Sequence, residues 1–380
     1  MSPRETAPAL LTLLRRAVAN GASDLHLTPG EPPALRVDGA LRPIPDLPAL
    51  AADELEAMTA SLLAPAQREA LLRDRALDLA LSLPEGPRFR VNAFSTRGRI
   101  ALAIRRLEPA IKGLAELHLP AALERLTALQ DGLVLVTGAT GSGKTTTLAA
   151  LLDLINDRRE CHLLTLEDPI EYLHASKRAL VRQRELHTDF LEFAEALRVT
   201  LREDPDVILV GEMRDADTMR TALMAAETGH LVFSTLHAGS AIGAAERLIG
   251  AFQGAEQESI RHQLSLVLRA VATQRLLPGK RGGRVPVVEL LFVTAAVSNL
   301  LRAGKPSQIQ SAMEAGAGSG MQTLEQALVD AVMAGLLEEE TAHAAAREPG
   351  IFAERLKHAR STRPTQRGPA AAARGGVAWP

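Results

Sequence analysis

Leu133-Val-Leu-Val-Thr-Gly-Ala-Thr-Gly-Ser-Gly-Lys-Thr145 joins a short apolar run to a glycine-rich loop, and the fold class is most clearly indicated by this segment. Residues 138–145 match G-x-x-x-x-G-K-[ST] between a predicted strand and a predicted helix, the context that a phosphate-binding loop requires. Glycines let consecutive N–H groups face phosphates at a helix N-terminus. Lys144 can bridge the β- and γ-phosphates, and the Thr145 hydroxyl can ligate Mg²⁺. We therefore predict that a nucleotide is bound by Gly138, Ala139, Thr140, Gly141, Ser142, Gly143, Lys144, Thr145 and Thr146.

Three more apolar runs follow this loop, at residues 162–166, 207–210 and 231–235. Continuous apolar runs of this length are typical of parallel strands that are covered on both faces. The intervening segments have the length of helices, and another helix is expected to open at Leu119-Pro120. The sequence therefore predicts an α/β fold around a parallel sheet, and beyond residue 255 it predicts mainly helices.

The N-terminal part of the chain has a different pattern. Residues 9–19 have helical spacing, and the segments 22–27 and 34–43 alternate polar and apolar residues, with Asp38-Gly39 as a hairpin signal. A helix at 52–72 and strands near 77–83, 88–95 and 99–107 complete a smaller α+β unit. We predict four parts: an N-terminal domain (1–107), a linker (108–118), a nucleotide-binding domain with C-terminal helices (119–360) and a disordered tail (361–380).

The amino-acid composition argues against several classes of protein. Of 380 residues, 46% are hydrophobic and 23% are charged, which argues against general disorder. A net charge of −2 and 3% aromatic residues give neither the basic groove nor the stacking platforms of a nucleic-acid channel. The single cysteine, Cys161, excludes a disulfide framework and a four-cysteine zinc module. No apolar run reaches the length of a membrane-spanning helix. Together, these observations lead us to expect a cytoplasmic protein that binds neither zinc nor nucleic acid.

Acidic residues follow two of the predicted strands, and histidines flank a third. Glu167 comes directly after the run 162–166, where it is placed to hold an attacking water. After the run 207–210, Gly211 occupies the position where a P-loop ATPase usually has Asp, and Glu212 follows it. Glu212 could reach the Mg²⁺ side of the site or the attacking water. His230 and His237 stand at the two ends of the strand 231–235 and could sense phosphate, contact a neighbouring subunit or be ordinary surface residues.

Four motifs together resemble those of the type II/type IV secretion ATPase superfamily. They are the Walker A segment (138–147), an Asp box (164–172), a Walker B segment (201–215) and a His box (225–237), and they occur in the family's order. The resemblance runs from about residue 5 to residue 350. It implies a RecA-like P-loop ATPase core preceded by a smaller PAS-like α+β domain.

Within this superfamily the chain most resembles the retraction ATPases that drive twitching motility by type IV pili. The segments that carry this likeness are 22–27, 36–39, 88–94 and 320–328. Residues 296–305 resemble the family's retraction-linked motif, with Val297-Ser298 and Leu301 in place of Ile-Arg and Ile. Ser234 stands in the His box where Gly is common.

The resemblance implies a homo-hexamer that hydrolyses ATP with Mg²⁺ and binds it between the two domains of one subunit and beside the next. It implies Glu167 as the general base and Glu212, with Thr145, on the Mg²⁺ side, although the two glutamates could exchange roles. It also implies an inner-membrane platform protein as partner, contacted from the cytoplasm, and a paralogous retraction ATPase as a second partner. The candidate arginine fingers are chiefly Arg90 and Arg97, with Arg88 and Arg105 as further candidates.

Alternative functions remain open from sequence. A pilus-extension or type II secretion motor of the same superfamily usually carries the four-cysteine zinc module that this chain cannot form. An accessory retraction ATPase would act only beside a main motor. A nucleic-acid translocase could share the RecA-like core, and a regulatory ATP-binding protein could share the phosphate loop without turnover.

Overall fold

The computed structural model describes residues 6–83, 86–107 and 110–362. Its first sheet is built from antiparallel strands. They are β1 (Asp24–Leu27), β2 (Ala34–Val37), β3 (Ala40–Pro43), β4 (Ala76–Ser82), β5 (Arg88–Thr96) and β6 (Arg99–Arg106). Their order across the sheet is β3-β2-β1-β6-β5-β4. The predicted hairpin is confirmed, because β2 pairs with β3 and both turn residues, Asp38 and Gly39, have positive φ angles of 49° and 82°, as a tight hairpin turn requires.

Helices cover one face of this first sheet. They are α1 (Pro8–Ala19), α2 (Ala52–Leu62) and α3 (Pro65–Asp74). Leu10 and Leu14 of α1 and Leu55 of α2 lie in one buried cluster with Phe89 of the sheet. The helix predicted over 52–72 is in fact two helices. Proline fits the first turn of a helix but not its interior, so Pro65 begins α3 instead of continuing α2.

In the described part of the chain, the second sheet has seven strands in the order β13-β12-β7-β11-β10-β8-β9. Their bounds are β7 (Gly132–Thr137), β8 (His162–Glu167), β9 (Leu180–Glu185), β10 (Val207–Val210), β11 (Leu231–Leu236), β12 (Leu268–Pro278) and β13 (Arg284–Phe292). All neighbouring pairs are parallel except β12 with β13. This confirms the predicted parallel α/β core.

Buried apolar clusters lie on both faces of the second sheet, which explains its continuous apolar strands. The remaining helices are α4 (Lys144–Arg158), α5 (Phe193–Thr200), α6 (Ala216–Glu227), α7 (Ala241–Gly250), α8 (Glu256–Val267), α9 (Ala295–Arg302), α10 (Ile309–Ala315), α11 (Leu324–Met333), α12 (Glu339–Ala345) and α13 (Pro349–Ser361). Because β7, β8, β10 and β11 are parallel, their carboxyl ends meet at one edge of the sheet, where the phosphate loop begins. The helices of the described ranges are all too short or too polar to span a lipid bilayer.

In the described residues beyond 255 helices predominate, as predicted, but the prediction missed two long strands. The long strands β12 and β13 extend the sheet and form an antiparallel hairpin, in which Gly282 and Gly283 adopt positive φ angles at the turn. Residues 285–292 are a mainly apolar run that periodicity alone does not separate from a buried helix. The helix expected to open at 119 is a short 3-10 helix over Ala121–Ala128.

Two predicted segments fall partly outside the described residues. Of the linker predicted at 108–118, residues 110–118 contain turns without regular strand or helix, and residues 108–109 are not described. Of the disordered tail predicted at 361–380, residues 363–380 lie outside the described residues, and α13 continues to Ser361.

Candidate nucleotide and catalytic site

A cleft of about 970 Å³ opens at the carboxyl edge of the second sheet, next to the first sheet. Both sheets contribute to its lining. Arg90 and Arg105 come from the first sheet, whereas Lys144, Glu167 and Glu212 come from the start of α4, the end of β8 and the loop after β10. The structure therefore brings residues from four separate predicted motifs into one site.

The phosphate loop is held tightly against β12. A side-chain carbon at Gly138 would lie 2.3 Å from the Gln274 carbonyl oxygen, and one at Gly143 would lie 2.7 Å from Gln274 Nε2. Both glycines also have positive φ angles, 144° and 90°, which residues with a side chain rarely adopt. Glycine therefore suits both positions for two reasons, the backbone angle and the lack of space. The helix α4 begins at Lys144 directly after this loop, as the motif predicts.

Polar groups of the loop are suited to a phosphate chain. Lys144 Nζ donates hydrogen bonds of 3.0 Å to the carbonyl oxygens of Gly138 and Ala139, which keeps the cation over the loop. Burial lowers the Lys144 pKa, and the nearby Glu212 carboxylate opposes that shift. The Ser142 hydroxyl is buried without a hydrogen-bond partner among the described residues, and such groups are rare unless a ligand completes them. These residues fit the phosphates of a nucleotide.

A magnesium ion would fit only together with such phosphates. No group of three or more histidine, cysteine or acidic side chains in the described ranges is arranged to hold a metal by itself. Thr145 and Glu212 both line the cleft. Mg²⁺ at nucleotide sites usually takes one or two protein ligands and completes its shell with phosphate and water, so this donor set agrees with it.

Glu167 is the last residue of β8 and is only 7% exposed. Its Oε1 accepts hydrogen bonds from the Thr165 hydroxyl at 2.6 Å and from Gln183 Nε2 at 3.0 Å. Burial raises the Glu167 pKa to about 7, although the two hydrogen bonds act in the opposite direction. A carboxylate that titrates near neutral pH is suited to accept a proton from water.

Gln183 connects Glu167 to the segment that follows it. Besides its bond to Glu167, Gln183 Nε2 donates to the Tyr172 carbonyl at 2.8 Å, and its Oε1 accepts from the His174 backbone N–H at 2.8 Å. The bonds to Tyr172 and His174 fix the Gln183 amide, and this amide in turn orients the Glu167 carboxylate. Sequence reasoning missed Gln183 because it missed β9, an edge strand whose Arg-Gln-Arg-Glu sequence has little apolar character.

Glu212 lies in a different environment, between two nitrogen-bearing side chains. Its Oε1 is 3.1 Å from His237 Nε2, and its Oε2 accepts a hydrogen bond of 3.0 Å from Arg214 Nε. The preceding Gly211 passes close to β8, since a side-chain carbon there would lie 3.1 Å from the Leu166 carbonyl oxygen. This crowding explains why the first position after β10 is glycine and the acid comes one residue later.

Two of the candidate arginines hold the first sheet against the Asp-box segment. Arg90 lines the cleft and pairs with Asp78 at 3.2 Å and with Glu171 at 3.4 Å. The Arg88 side chain is 15% exposed, and it donates to the Ile170 carbonyl at 3.1 Å and to Glu185 at 3.4 Å. Arg88 therefore connects the first sheet to the Asp-box segment and to β9, while Arg90 lines the cleft. Arg105 lines the cleft and pairs with Asp24 at 2.8 Å.

The structure does not bring Arg97 to this cleft. Arg97 is an exposed residue of the β5–β6 turn with a φ of 48°. It stands seven positions beyond Arg90 along β5, which at the rise of an extended strand is a distance of about 23 Å.

His230 also lies away from the cleft. It precedes β11, whose other end carries His237, and a strand of this length spans about 20 Å. The His230 ring is 3.0 Å from the Ala225 carbonyl oxygen. Of the two histidines, only His237 reaches the site.

Comparisons with known proteins agree with this architecture. Residues 5–346 match the model of the family described as type II/IV secretion system protein. The chain is 45% identical over 340 residues to the Pseudomonas aeruginosa type IV pilus retraction ATPase PilT, covering 90% of this chain and 98% of that one. It is 38% identical over 335 residues to the P. aeruginosa type IV pilus ATPase PilU, covering 87% of each chain.

One solved structure is similar over nearly the whole chain. A crystal structure of the pilus retraction motor PilT with bound ADP superposes with a TM-score of 0.83 at 42% identity, and the match covers 91% of this chain and 99% of that one.

Proposed function

The chain belongs to the type II/IV secretion system protein family and is an ATPase, and on that premise we propose that it powers the retraction of type IV pili. The observation that carries the proposal is the continuous similarity to the retraction ATPase PilT, which includes both sheets and the cleft between them. A buried Glu167 and a lysine-bearing phosphate loop in that cleft supply the chemistry of hydrolysis.

In the proposed reaction, ATP binds with its phosphates on residues 138–146. Lys144 leaves the carbonyl oxygens of its own loop and contacts the β- and γ-phosphates. The buried Glu167 accepts the proton of the attacking water. Its pKa of about 7 lets it do so at neutral pH, and Gln183 keeps the carboxylate aimed.

Mg²⁺, held by Thr145 and Glu212 with or without intervening water, would neutralise charge on the phosphates. His237 and Arg214 orient the Glu212 carboxylate. Arg90 faces the cleft, so it is placed to become a finger toward the γ-phosphate once its pairs with Asp78 and Glu171 open. Arg97, on the exposed β5–β6 turn, is instead proposed to reach the nucleotide of a neighbouring subunit.

The proposed assembly is a homo-hexamer at the cytoplasmic face of the inner membrane. Its proposed partner is the membrane platform protein of the pilus, with a paralogous ATPase as a second partner. The exposed position of Arg97 supports an inter-subunit role, since a finger at that turn has no phosphate to reach within its own chain. Closure of the first sheet on the cleft would then couple hydrolysis to movement.

An accessory retraction role is the second candidate. The similarity to PilU extends over 87% of each chain but at 38% identity, against 45% for PilT, which favours the main motor. The single cysteine argues against the zinc-bearing extension and type II secretion motors. The net charge of −2 argues against a nucleic-acid translocase, and the joint presence of Lys144, Glu167 and Glu212 argues against a regulatory protein without turnover.

Deletion of the gene in its source organism tests this function. We expect excess surface pili without twitching movement, because pili would extend but not retract. Bald cells would indicate an extension motor. Normal piliation and movement would indicate an accessory role or another machine, and a salt-dependent DNA-binding assay on the purified protein would then test the translocase.

A further inference from the structure

The loop that carries His237 is fixed from the C-terminal end of the chain. This loop, residues 237–240, connects β11 to α7. Its carbonyl oxygen at Gly239 accepts a hydrogen bond of 3.1 Å from Arg347 Nη2, and Arg347 lies between α12 and α13. A residue more than a hundred positions away in sequence therefore touches the loop of the catalytic centre.

Arg347 is held in place by a buried carboxylate. Glu289 of β13 has a side chain that is 2% exposed, and its Oε2 accepts from Arg347 Nη2 at 2.8 Å. Its Oε1 accepts from the Ala241 backbone N–H at 2.6 Å, at the first residue of α7. Within the described ranges, Arg347 is the cation that lies within ion-pair distance of Glu289. Glu289 and Arg347 thus hold the two ends of the short segment 239–241, since Glu289 binds the Ala241 N–H and Arg347 binds the Gly239 carbonyl.

A second buried carboxylate ties the same arginine to the C-terminal helices. Glu325 of α11 accepts hydrogen bonds from the backbone N–H groups of Arg347 at 3.1 Å and Glu348 at 3.2 Å. The junction between α12 and α13 is therefore attached to α11. A shift of these helices would move Arg347 with them.

We propose that Arg347 is a positioning residue for ATP hydrolysis, which holds the loop 237–240 against Glu289 and thereby keeps His237 at Glu212. The C-terminal helices α11–α13 then influence turnover from outside the cleft, through two hydrogen-bonded carboxylates and one arginine. Arg347 is not among the residues that line the cleft in the described structure, so nucleotide binding does not depend on it. This inference rests on the proposed roles of His237 and Glu212.

A double-mutant cycle with His237 tests the proposal, with steady-state kcat and KM for ATP as readouts. We expect Arg347→Met to lower kcat about tenfold while KM stays within about twofold, and Arg347→Lys to recover part of the loss. In the His237→Ala background, Arg347→Met is expected to change kcat by less than about twofold, because the residue it positions is absent. Arg360→Met is the matched control, since Arg360 pairs with Glu339 in the same helical layer and far from the loop.

Several outcomes would overturn the inference. Equal losses of kcat in both backgrounds would mean that Arg347 does not act through His237, and an unchanged kcat in Arg347→Met would mean that it does not act at all. If Arg347→Met fails to fold because Glu289 is left unpaired, Glu289→Gln/Arg347→Met replaces it in the cycle, as the introduced amide could still accept from the Ala241 N–H. Unchanged turnover in His237→Ala alone would instead defeat the proposed role of His237.

Discussion

The two glutamates of the site stand at the ends of adjacent parallel strands, yet the fold gives them different surroundings. Glu167 ends β8 and is buried among uncharged donors, the Thr165 hydroxyl and the Gln183 amide. Glu212 follows β10, has a side chain that is 24% exposed and contacts His237 and Arg214. Burial makes the Glu167 carboxylate easier to protonate, whereas the Glu212 carboxylate lies beside guanidinium and imidazole nitrogens. Two acids of similar sequence context are thereby suited to two different tasks.

The largest expected effect separates these two tasks. Glu167→Gln should lower kcat by about 10²- to 10⁴-fold, because the proton acceptor is lost while the hydrogen bonds from Thr165 and Gln183 can be kept. Steady-state ATPase assays measure this, with ADP affinity as the control for an intact site. Retained turnover in this variant, together with complete loss in Glu212→Gln, would show that the two glutamates have exchanged roles.

The same substitution should change stability in a pH-dependent way. Glu167 has a pKa of about 7 when folded and an ordinary value of 4.5 when unfolded. Between these values the folded state binds more protons, so stability is full below about pH 4.5 and is lost as the pH rises from there through 7. At about 1.4 kcal/mol per pKa unit, Glu167→Gln should stabilise the nucleotide-free protein by about 3 kcal/mol at pH 8 and little at pH 5. Thermal unfolding at the two pH values measures the difference, and equal shifts at both would contradict it.

A smaller effect is expected at the more exposed glutamate. Glu212→Gln should lower kcat by about 10- to 100-fold, because the metal side of the site loses its charge and the His237 contact weakens. Raising the Mg²⁺ concentration should restore part of the activity in this variant and none in Glu167→Gln. A titration of turnover against Mg²⁺ concentration measures this difference. An identical response of the two variants would contradict the assignment of different roles to the two glutamates.

Gln183→Leu should change turnover chiefly through Glu167, although it also removes the Gln183 hydrogen bonds to Tyr172 and His174. Loss of the amide donor removes a group that stabilises the charged carboxylate, so the Glu167 pKa should rise further. The acidic limb of the kcat–pH profile should move to higher pH, with a loss of about three- to tenfold at about pH 7 and near-normal turnover at about pH 9. Gln326→Leu is the control, since the Gln326 side chain donates to Asp330 on its own helix, away from the cleft. A uniform loss at every pH would point to structural damage instead.

The smallest effect is expected at Ser234 of β11, the strand that pairs with β10 on the side away from β8. Its buried hydroxyl donates to the Val210 carbonyl at 2.7 Å, on the strand that leads to Glu212. Ser234→Gly, which introduces the residue common in this family's His box, should lower the free energy of unfolding by about 1–2 kcal/mol. Turnover should stay within about twofold. Denaturant unfolding and ATPase assays check both statements, and a tenfold change in kcat would place Ser234 in the catalytic machinery.

Prediction from sequence succeeded where a local pattern reports local structure. The phosphate loop was predictable because its backbone requires glycines at 138 and 143, and the parallel core was predictable because its strands are buried on both faces. Prediction from sequence missed β9, because the two arginines of this edge strand obscure its apolar pattern. It also missed β12 and β13, because apolar runs do not distinguish a strand from a helix. The two histidines that flank β11 do not lie together, since the ends of one strand lie on opposite edges of the sheet, and of the two only His237 lines the cleft.

Local patterns were sufficient to predict the nucleotide chemistry, the family resemblance and the parallel core, because motifs and periodicity are properties of neighbouring residues. The folded chain was needed to show which carboxylate is buried, why glycine stands at 211, which arginines line the cleft and how Arg347 reaches the His237 loop. Burial and hydrogen bonding depend on residues that are distant in the chain, such as Gln183 at Glu167 and Arg347 at Glu289. A pKa near 7 arises from that environment and is invisible in the residue's own neighbourhood in the sequence.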